Sequence, residues 1–299
     1  MLLEPECMSC LINQIYKAFT LLNPSISKQK IVETQIKLME YLTKVNLTAG
    51  TDSLVGAKTY ELVSEALGDK DPYKSLKLKY NKLAMEYYDI VEENVNNAED
   101  SVFEAIAVSA IGNTIDFGSN HEMDFINDIK NFTPENFAIN DIPEFKKSLA
   151  NADNNGEKIL VLLDNAGEIV FDKVLVITLK KLYLNIEIIC TVRSGPIIND
   201  ATIEDAKFVG LTEVTKVIEA PAAPGIELSI ASEEFKKYFY ADNVKIILSK
   251  GQGNFESLYG LDIPHKDVFY LLKAKCGLME KIFNVKIGDL IFKKKNSNF

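Results

Sequence analysis

The chain has 299 residues, 43 acidic and 33 basic, giving a formal charge of -10, with 47% hydrophobic residues, 15 Gly and 9 Pro. This composition is that of a globular protein long enough for about two domains, and its negative charge repels phosphate backbones and anionic lipid. Nucleic acid and membrane surfaces are therefore not expected partners, and with only His121 and His265 present, His-rich binuclear metal sites are excluded, so any metal must be held mainly by oxygen or sulfur.

The N-terminal stretch lacks a basic segment, apolar core and small-residue cleavage site, and four cysteines are too few for a disulfide scaffold. A reducing, cytoplasmic setting is the expectation. The longest apolar runs, Ile159 to Leu163, Ile186 to Val192 and Val268 to Leu272, fall far short of the roughly 20 residues that span a bilayer.

From Met8 to about Asp116 the apolar residues recur at helical spacing, as in Leu11, Ile15, Ala18, Phe19 and Leu22. Breaks are read at Asn23-Pro24-Ser25, at Ala49 to Asp52 and at Gly68 to Pro72, followed by one long helical segment from Tyr73 to about Val95 and a helix from Ser101 to about Ile111. Lys28 to Lys30 and Lys77 to Lys82 read as solvated helix faces, and Met85 to Tyr88 as packing. The chain then turns polar, and the run Asn151 to Gly156 marks a junction. Two domains are expected, 1–150 helical and 151–299 α/β.

After Gly156 the pattern changes to short β-branched runs at Lys158 to Leu163, Glu187 to Val192, Lys216 to Ile218, Val244 to Leu248 and Val268 to Leu272, with amphipathic stretches such as Phe171 to Tyr183 between. Continuous apolar strands are buried on both faces, so the fold class is α/β with a mostly parallel sheet covered by helices. Such sheets bind ligands beyond the carboxyl ends of their strands. The residues there are unusually polar: Asp164 to Glu168, Arg193 leading to Asn199-Asp200, and Lys250 to Glu256. Asp164, the Asn165 carbonyl and Asp200 form a hard oxygen set suited to a divalent ion, and Lys250 with its adjacent glycines offers positive charge and backbone N–H groups to an anion. No G-x-G-x-x-G follows the first strand, and no P-loop is present.

The strings Gly112-Asn113-Thr114-Ile115-Asp116, Asp164 to Glu168, Pro196 to Thr202 with Asp205-Ala206, and Lys250-Gly251-Gln252-Gly253-Asn254-Phe255-Glu256 resemble the damage-control phosphatase family, long catalogued as a domain of unknown function. Cys7-Met8-Ser9-Cys10, Lys273 to Cys276 and Gly68 to Tyr73 resemble its cysteine-containing, mainly prokaryotic branch. The resemblance runs nearly the whole chain in order. It implies a helical N-terminal domain on a Rossmann-like α/β/α sandwich, and a metal-dependent phosphomonoesterase acting on a small phosphorylated metabolite, a sugar phosphate or damaged cofactor precursor. Carried over, Asp164, Asn165 and Asp200 match the metal ligands, and Lys250 the phosphate-contacting lysine. Magnesium or manganese suits these oxygens, and cobalt or nickel also binds such donors.

Asn113 and Asp116, three apart at a helix end, both face one side and so reach substrate or a bound water, unless Asn113 serves as a helix cap. Glu168 opens the next helix, as a first-turn acid or a substrate contact. Arg193, Gly251 and Asn254 complete the expected substrate-binding set, and Asp164, Asp116 and Lys250 the catalytic one. The nucleophile is read as a water oriented by Asp164 or Asp116 rather than Asp164 itself, since Asp164 does not open a D-x-D-x string.

Cys7 and Cys10 have chelation spacing, and Cys276 would supply a third thiolate for a second metal if the N-terminus folds back on the C-terminal domain, while Cys190 sits in an apolar strand. His121 and His265 are isolated in loops. Two alternatives stand beside the phosphatase: a carboxyl methyltransferase using S-adenosylmethionine, which would want more glycine after the first strand, and a non-enzymatic metal or redox-binding protein built on the cysteines.

Overall fold

The computed structural model describes residues 3–46, 52–112 and 131–296. Asn113, Asp116 and His121 lie outside the described residues. The N-terminal helices are α1 (Pro5–Leu22), α2 (Lys28–Leu42), α3 (Asp52–Leu67), α4 (Lys74–Glu86), α5 (Tyr88–Asn97) and α6 (Ser101–Gly112). α1 buries Leu11, Ile15, Ala18 and Phe19, one stripe at steps of three and four, and α2 is capped by Ser27, whose side chain accepts from Lys30 N. Each fully buried Phe or Ile in such a stripe contributes about 1.5–3 kcal/mol.

The expected single segment from Tyr73 to Val95 is two helices. Tyr87 ends α4, and α5 starts at Tyr88, so the apolar face of α5 turns onto the sheet side. Lys77 is also corrected: it is buried, paired with Asp71 at 2.9 Å and near Asp205 at 3.8 Å, rather than on a solvated face.

The α/β layer comprises β1 (Phe137–Asn140), α7 (Ile142–Asn155), β2 (Lys158–Leu162), α8 (Glu168–Leu182), β3 (Glu187–Arg193), α9 (Ile203–Phe208), β4 (Lys216–Ala220), α10 (Glu233–Tyr240), β5 (Val244–Lys250), α11 (Gln252–Leu258), β6 (Asp267–Lys273), α12 (Gly277–Phe283) and β7 (Leu290–Lys294). The seven described strands form one sheet in the order β1-β7-β6-β5-β2-β3-β4. All neighbours pair in parallel except β6 with β7. The chain runs from β2 outward to β3 and β4, then crosses to β5 on the other side of β2. The order reverses at β2 and β5, and the crevice beyond their carboxyl ends is the ligand-binding position of an open α/β sheet.

Strand alternation divides the core. Ile159 and Val161 of β2 face a cluster shared with α5 to α8, and Leu160 and Leu162 face a second one with α10 to α12. α1 to α3 keep a separate core around Ile15, Phe19, Leu38 and Val63. The boundary expected at residues 150 and 151 falls inside α7, whose polar end closes on Gly156 in the left-handed conformation, and β1 already belongs to the sheet. α6 is apolar all round because it is sandwiched: a Cβ on Gly112 would stand 2.7 Å from the Phe171 ring of α8. Among the described residues no helix is long and apolar enough to cross a membrane.

Candidate active site

Two loops beyond the strand ends pair with each other. Asn165 and Asp200 form an isolated antiparallel bridge, Ala201 N donates to Asp164 O at 2.8 Å, and Ala166 N donates to Asn199 O at 2.9 Å. Asp164, Asn165 and Asp200, thirty-five residues apart in sequence, are thereby set side by side. Gly167, at φ +84°, allows the turn into α8, and its N–H donates to Asn81 Oδ1 of α4 at 2.7 Å. Asn81 in turn donates to Asp205 Oδ1 at 2.7 Å, and Asp205 accepts from Thr202 N at 2.8 Å, capping α9. Ile198 takes φ +46°, rare for a β-branched residue, and packs its side chain on the core of α1 to α3. The helical layer thus grips the loop that carries Asp200.

Each of these side chains is oriented by its neighbours. Asn165 Nδ2 donates to Asp164 Oδ2 at 2.7 Å and Glu168 Oε2 at 3.1 Å, so its carbonyl oxygen is the end that neither contact uses. Arg193 fixes Asp200: its Nε donates to Asp200 Oδ2 at 2.7 Å, while Nη1 and Nη2 donate to Gly225 O at 3.0 Å and Asn254 Oδ1 at 2.9 Å. Asn254 closes the frame on Leu163 O and Lys250 O, at 3.1 and 2.8 Å. Arg193 and Asn254, expected to bind substrate, are buried and spend these groups on holding the Asp200 loop.

Beneath them Lys250, wholly buried, donates to Glu168, to Asp172 and to Ser109 O, the last at 3.2 Å. Ser109 Oγ donates to the same Asp172 oxygen at 2.6 Å. The N–H of Gly251 was expected to face an anion, but it donates to Leu271 O at 2.9 Å. Gly251 instead makes room, since a Cβ there would stand 2.1 Å from Asp164 Oδ2.

The electrostatics call for a cation. Four carboxylates, Asp164, Glu168, Asp172 and Asp200, surround two cations, Arg193 and Lys250. Burial, then the charges of Asp200 and Glu168, push the Asp164 carboxyl up to about 7. Burial also raises Asp200 against the opposing pull of Arg193. Burial would lower Lys250, yet Asp172 and Glu168 hold it above its ordinary value. Crowded carboxylates raised in this way, next to the Asn165 amide and with Asp164 and Asn165 only half-buried, fit a hard divalent ion open to a cleft.

Among the described residues no group of three or more His, Cys, Asp or Glu side chains is placed to hold a metal, and Cys7, Cys10 and Cys276 are not brought together as such a group. The N-terminus does fold back, Glu6 pairing with Lys281, and the Cys276 thiol accepts from Gln252 Nε2 at 3.3 Å. Cys190 is buried in β3 and His265 lies in a turn outside the helices and strands, both as expected.

Sequence reasoning missed Asp172, Ser109, Asn81 and Lys275. Asp172 had a signal, a charge four residues after Glu168 in an otherwise apolar stretch, which puts both acids on one helix face. Lys275, exposed just past β6, lowers both Asp164 and Asp200 through its charge. Only the sheet order, which sets β6 beside β5, brings it there.

A family model described as the damage-control phosphatase ARMT1-like domain matches residues 3–291. An uncharacterised protein of Methanocaldococcus jannaschii is 33% identical over 98% of this chain and 95% of its own. Proteins named damage-control phosphatase from Pyrococcus horikoshii and Archaeoglobus fulgidus are 30% and 29% identical, covering 97% and 98% of this chain and 97% and 99% of theirs. The crystal structure of a DUF89-family protein from Pyrococcus horikoshii superposes with a TM-score of 0.84 at 28% identity, over 99% of this chain and 100% of the other.

Proposed function

Because the chain belongs to the damage-control phosphatase family with the ARMT1-like domain, and is thus a phosphatase, we propose that its crevice hydrolyses a small phosphorylated metabolite with a divalent metal held by Asp164, Asn165 and Asp200. The phosphatase names of the relatives set aside the methyltransferase and the non-enzymatic reading. A sugar phosphate or a damaged cofactor precursor is the substrate class of this reading. The observation that carries it is the pairing of the Asn165 and Asp200 loops, which crowds the Asp164 carboxylate against the charges of Asp200 and Glu168.

A bound magnesium or manganese ion would supply Lewis acidity, taking charge from a phosphoryl oxygen and easing deprotonation of water. Asp164, held by Asn165 through Oδ2, orients the attacking water through Oδ1 and takes its proton. Lys275 meets the phosphate from the exposed rim. Lys250 supports it from below by exchanging the Ser109 carbonyl, its longest bond at 3.2 Å, for a phosphate oxygen. Asp116 and Asn113, in the segment following α6, complete the substrate side in this reading. The P–O bond to the alcohol breaks as the water oxygen bonds to phosphorus; the departing alkoxide takes a proton from solvent, and Asp164 gives the proton it accepted back to solvent.

The test is an assay of metal-stripped protein on p-nitrophenyl phosphate with magnesium, manganese, cobalt or nickel restored in turn. Turnover that requires metal and disappears in Asp164→Ala, with melting unchanged, is expected. Activity surviving a chelator, or surviving in Asp164→Ala, overturns the site. A phosphorylated Asp164 trapped by rapid quench would replace water by Asp164 as nucleophile.

A further inference from the structure

Beside the crevice lies a cavity of about 500 Å³, in the range of small-molecule sites, between α3 and the loops that follow β3 and β4. We propose that this cavity is the leaving-group pocket of the phosphatase, shaped for an alcohol of sugar size that bears hydroxyls or an amine, and closed to one bearing a second anionic group. The proposal rests on the reading of Asp164, Asn165 and Asp200 as the metal centre.

Its position follows from the chain. Pro196 and Ile197 form one wall, and Asp200 N donates to Ile197 O at 2.9 Å, a four-residue turn that keeps wall and ligand within about 7 Å of each other. A phosphate on a metal held by Asp200 would therefore lie within reach of that wall. The other wall is one face of α3, where Tyr60, Glu61, Ser64 and Glu65 fall at steps of three and four and are followed by Asp69 and Lys70. Tyr60 lines the cavity with only its edge exposed, its hydroxyl donating to Gln14 Oε1 at 3.3 Å. Burial, then the charges of Tyr73 and Asp200, raise its phenol, so it stays a neutral, flat, amphipathic surface for a ring.

The charge pattern sets the preference. Among the described residues Lys70 is the one cation on the walls, and no arginine is among them. Glu61 is already paired with Lys58 at 2.9 Å and Asp69 Oδ1 accepts from Asp71 N at 3.0 Å, which leaves the exposed Glu65 and the second oxygen of Asp69 as acceptors. Hydroxyl or ammonium donors satisfy those carboxylates, whereas a carboxylate or second phosphate meets like charge and lacks a fork of donors. The charge of -10 on the chain acts in the same direction.

A matched series tests this: glucosamine 6-phosphate, glucose 6-phosphate and 6-phosphogluconate share six carbons and a terminal phosphate but carry an amine, a neutral group and a carboxylate. With wild-type protein and manganese, kcat/KM is expected to fall along the series, by about tenfold between the last two, and the gap should narrow with added salt. In Glu65→Gln/Asp69→Asn the ratio of glucose 6-phosphate to 6-phosphogluconate, read within one protein, should drop to within about twofold of unity. An unchanged ratio, or 6-phosphogluconate matching glucose 6-phosphate in the wild type, overturns the pocket. Loss of p-nitrophenyl phosphate turnover with every metal would instead overturn the metal centre. Saturation-transfer NMR with the free alcohols then decides the pocket alone: transfer to glucosamine and glucose that Tyr60→Ala abolishes supports it, and equal transfer to gluconate refutes it.

Discussion

The Asp164 carboxylate lies against the backbone of Gly251, so close that a methyl group at position 251 would stand 2.1 Å from Asp164 Oδ2. Gly251 also has φ +81°, a region that side chains other than glycine rarely occupy. Gly251→Ala should displace Asp164, cut turnover by at least about 100-fold and cost about 1–3 kcal/mol from backbone strain. Steady-state kinetics with denaturant melts check this, and near-normal activity would show that Asp164 does not need its present place.

Arg193 serves three acceptors at once, Asp200 Oδ2, Gly225 O and Asn254 Oδ1, and lysine has no planar fork with which to do the same. Arg193→Lys should therefore weaken metal binding by about 10- to 100-fold, the usual effect of losing a partner that orients a ligand. Manganese titration followed by electron paramagnetic resonance reads this without any turnover. Unaltered affinity would remove Asp200 from the metal set.

Lys250 is the sole described cation in contact with Glu168 and Asp172. Lys250→Met leaves two buried carboxylates without their counter-charge and should destabilise the protein by about 3–5 kcal/mol. A loss below about 1 kcal/mol in urea melts would mean that water reaches this network.

Asp172 should impose a pH dependence on stability. Burial, against the attraction of Lys250, raises its carboxyl from 3.8 to about 6. Between those values the folded protein holds a proton that the unfolded chain has released, so the contribution of this group to stability falls as pH rises through the window. Asp172→Asn cannot lose that proton, so the melting temperature of the wild type minus that of the variant should shrink from pH 4 to pH 6.5. A difference that is flat or grows would contradict the raised carboxyl.

Lys275 is exposed beside Asp164 and Asp200, and its charge opposes the upward shift of both. Lys275→Met should raise KM for phosphomonoesters and weaken inhibition by inorganic phosphate, each by about tenfold, with a smaller change in kcat. An effect on kcat alone would place Lys275 outside phosphate binding.

The sequence by itself determined the parts that depend on local pattern. Five β-branched runs became β2 to β6, because strands buried on both faces must be apolar throughout, and the polar residues ending them marked Asp164, Asn165, Asp200 and Lys250. It did not expose β1 and β7, which are short, lie at one side of the sheet and, in β7, carry two lysines, so that neither shows a long apolar run. It could not divide α4 from α5 at Tyr87, where no glycine or proline marks the turn. Tertiary structure alone decided which polar groups face the crevice and which support it. Arg193 and Asn254 have the residue types of substrate contacts, yet loop pairing turns them inward onto Asp200. Lys77 looks solvated by its neighbours, yet packing of α4 on the α/β layer buries it against Asp205. Lys275 reaches the site only because β6 lies beside β5. The physical reason is that hydrophobic periodicity acts over a few residues, whereas partnerships between charges are settled by whichever chains the sheet order brings within a few ångström.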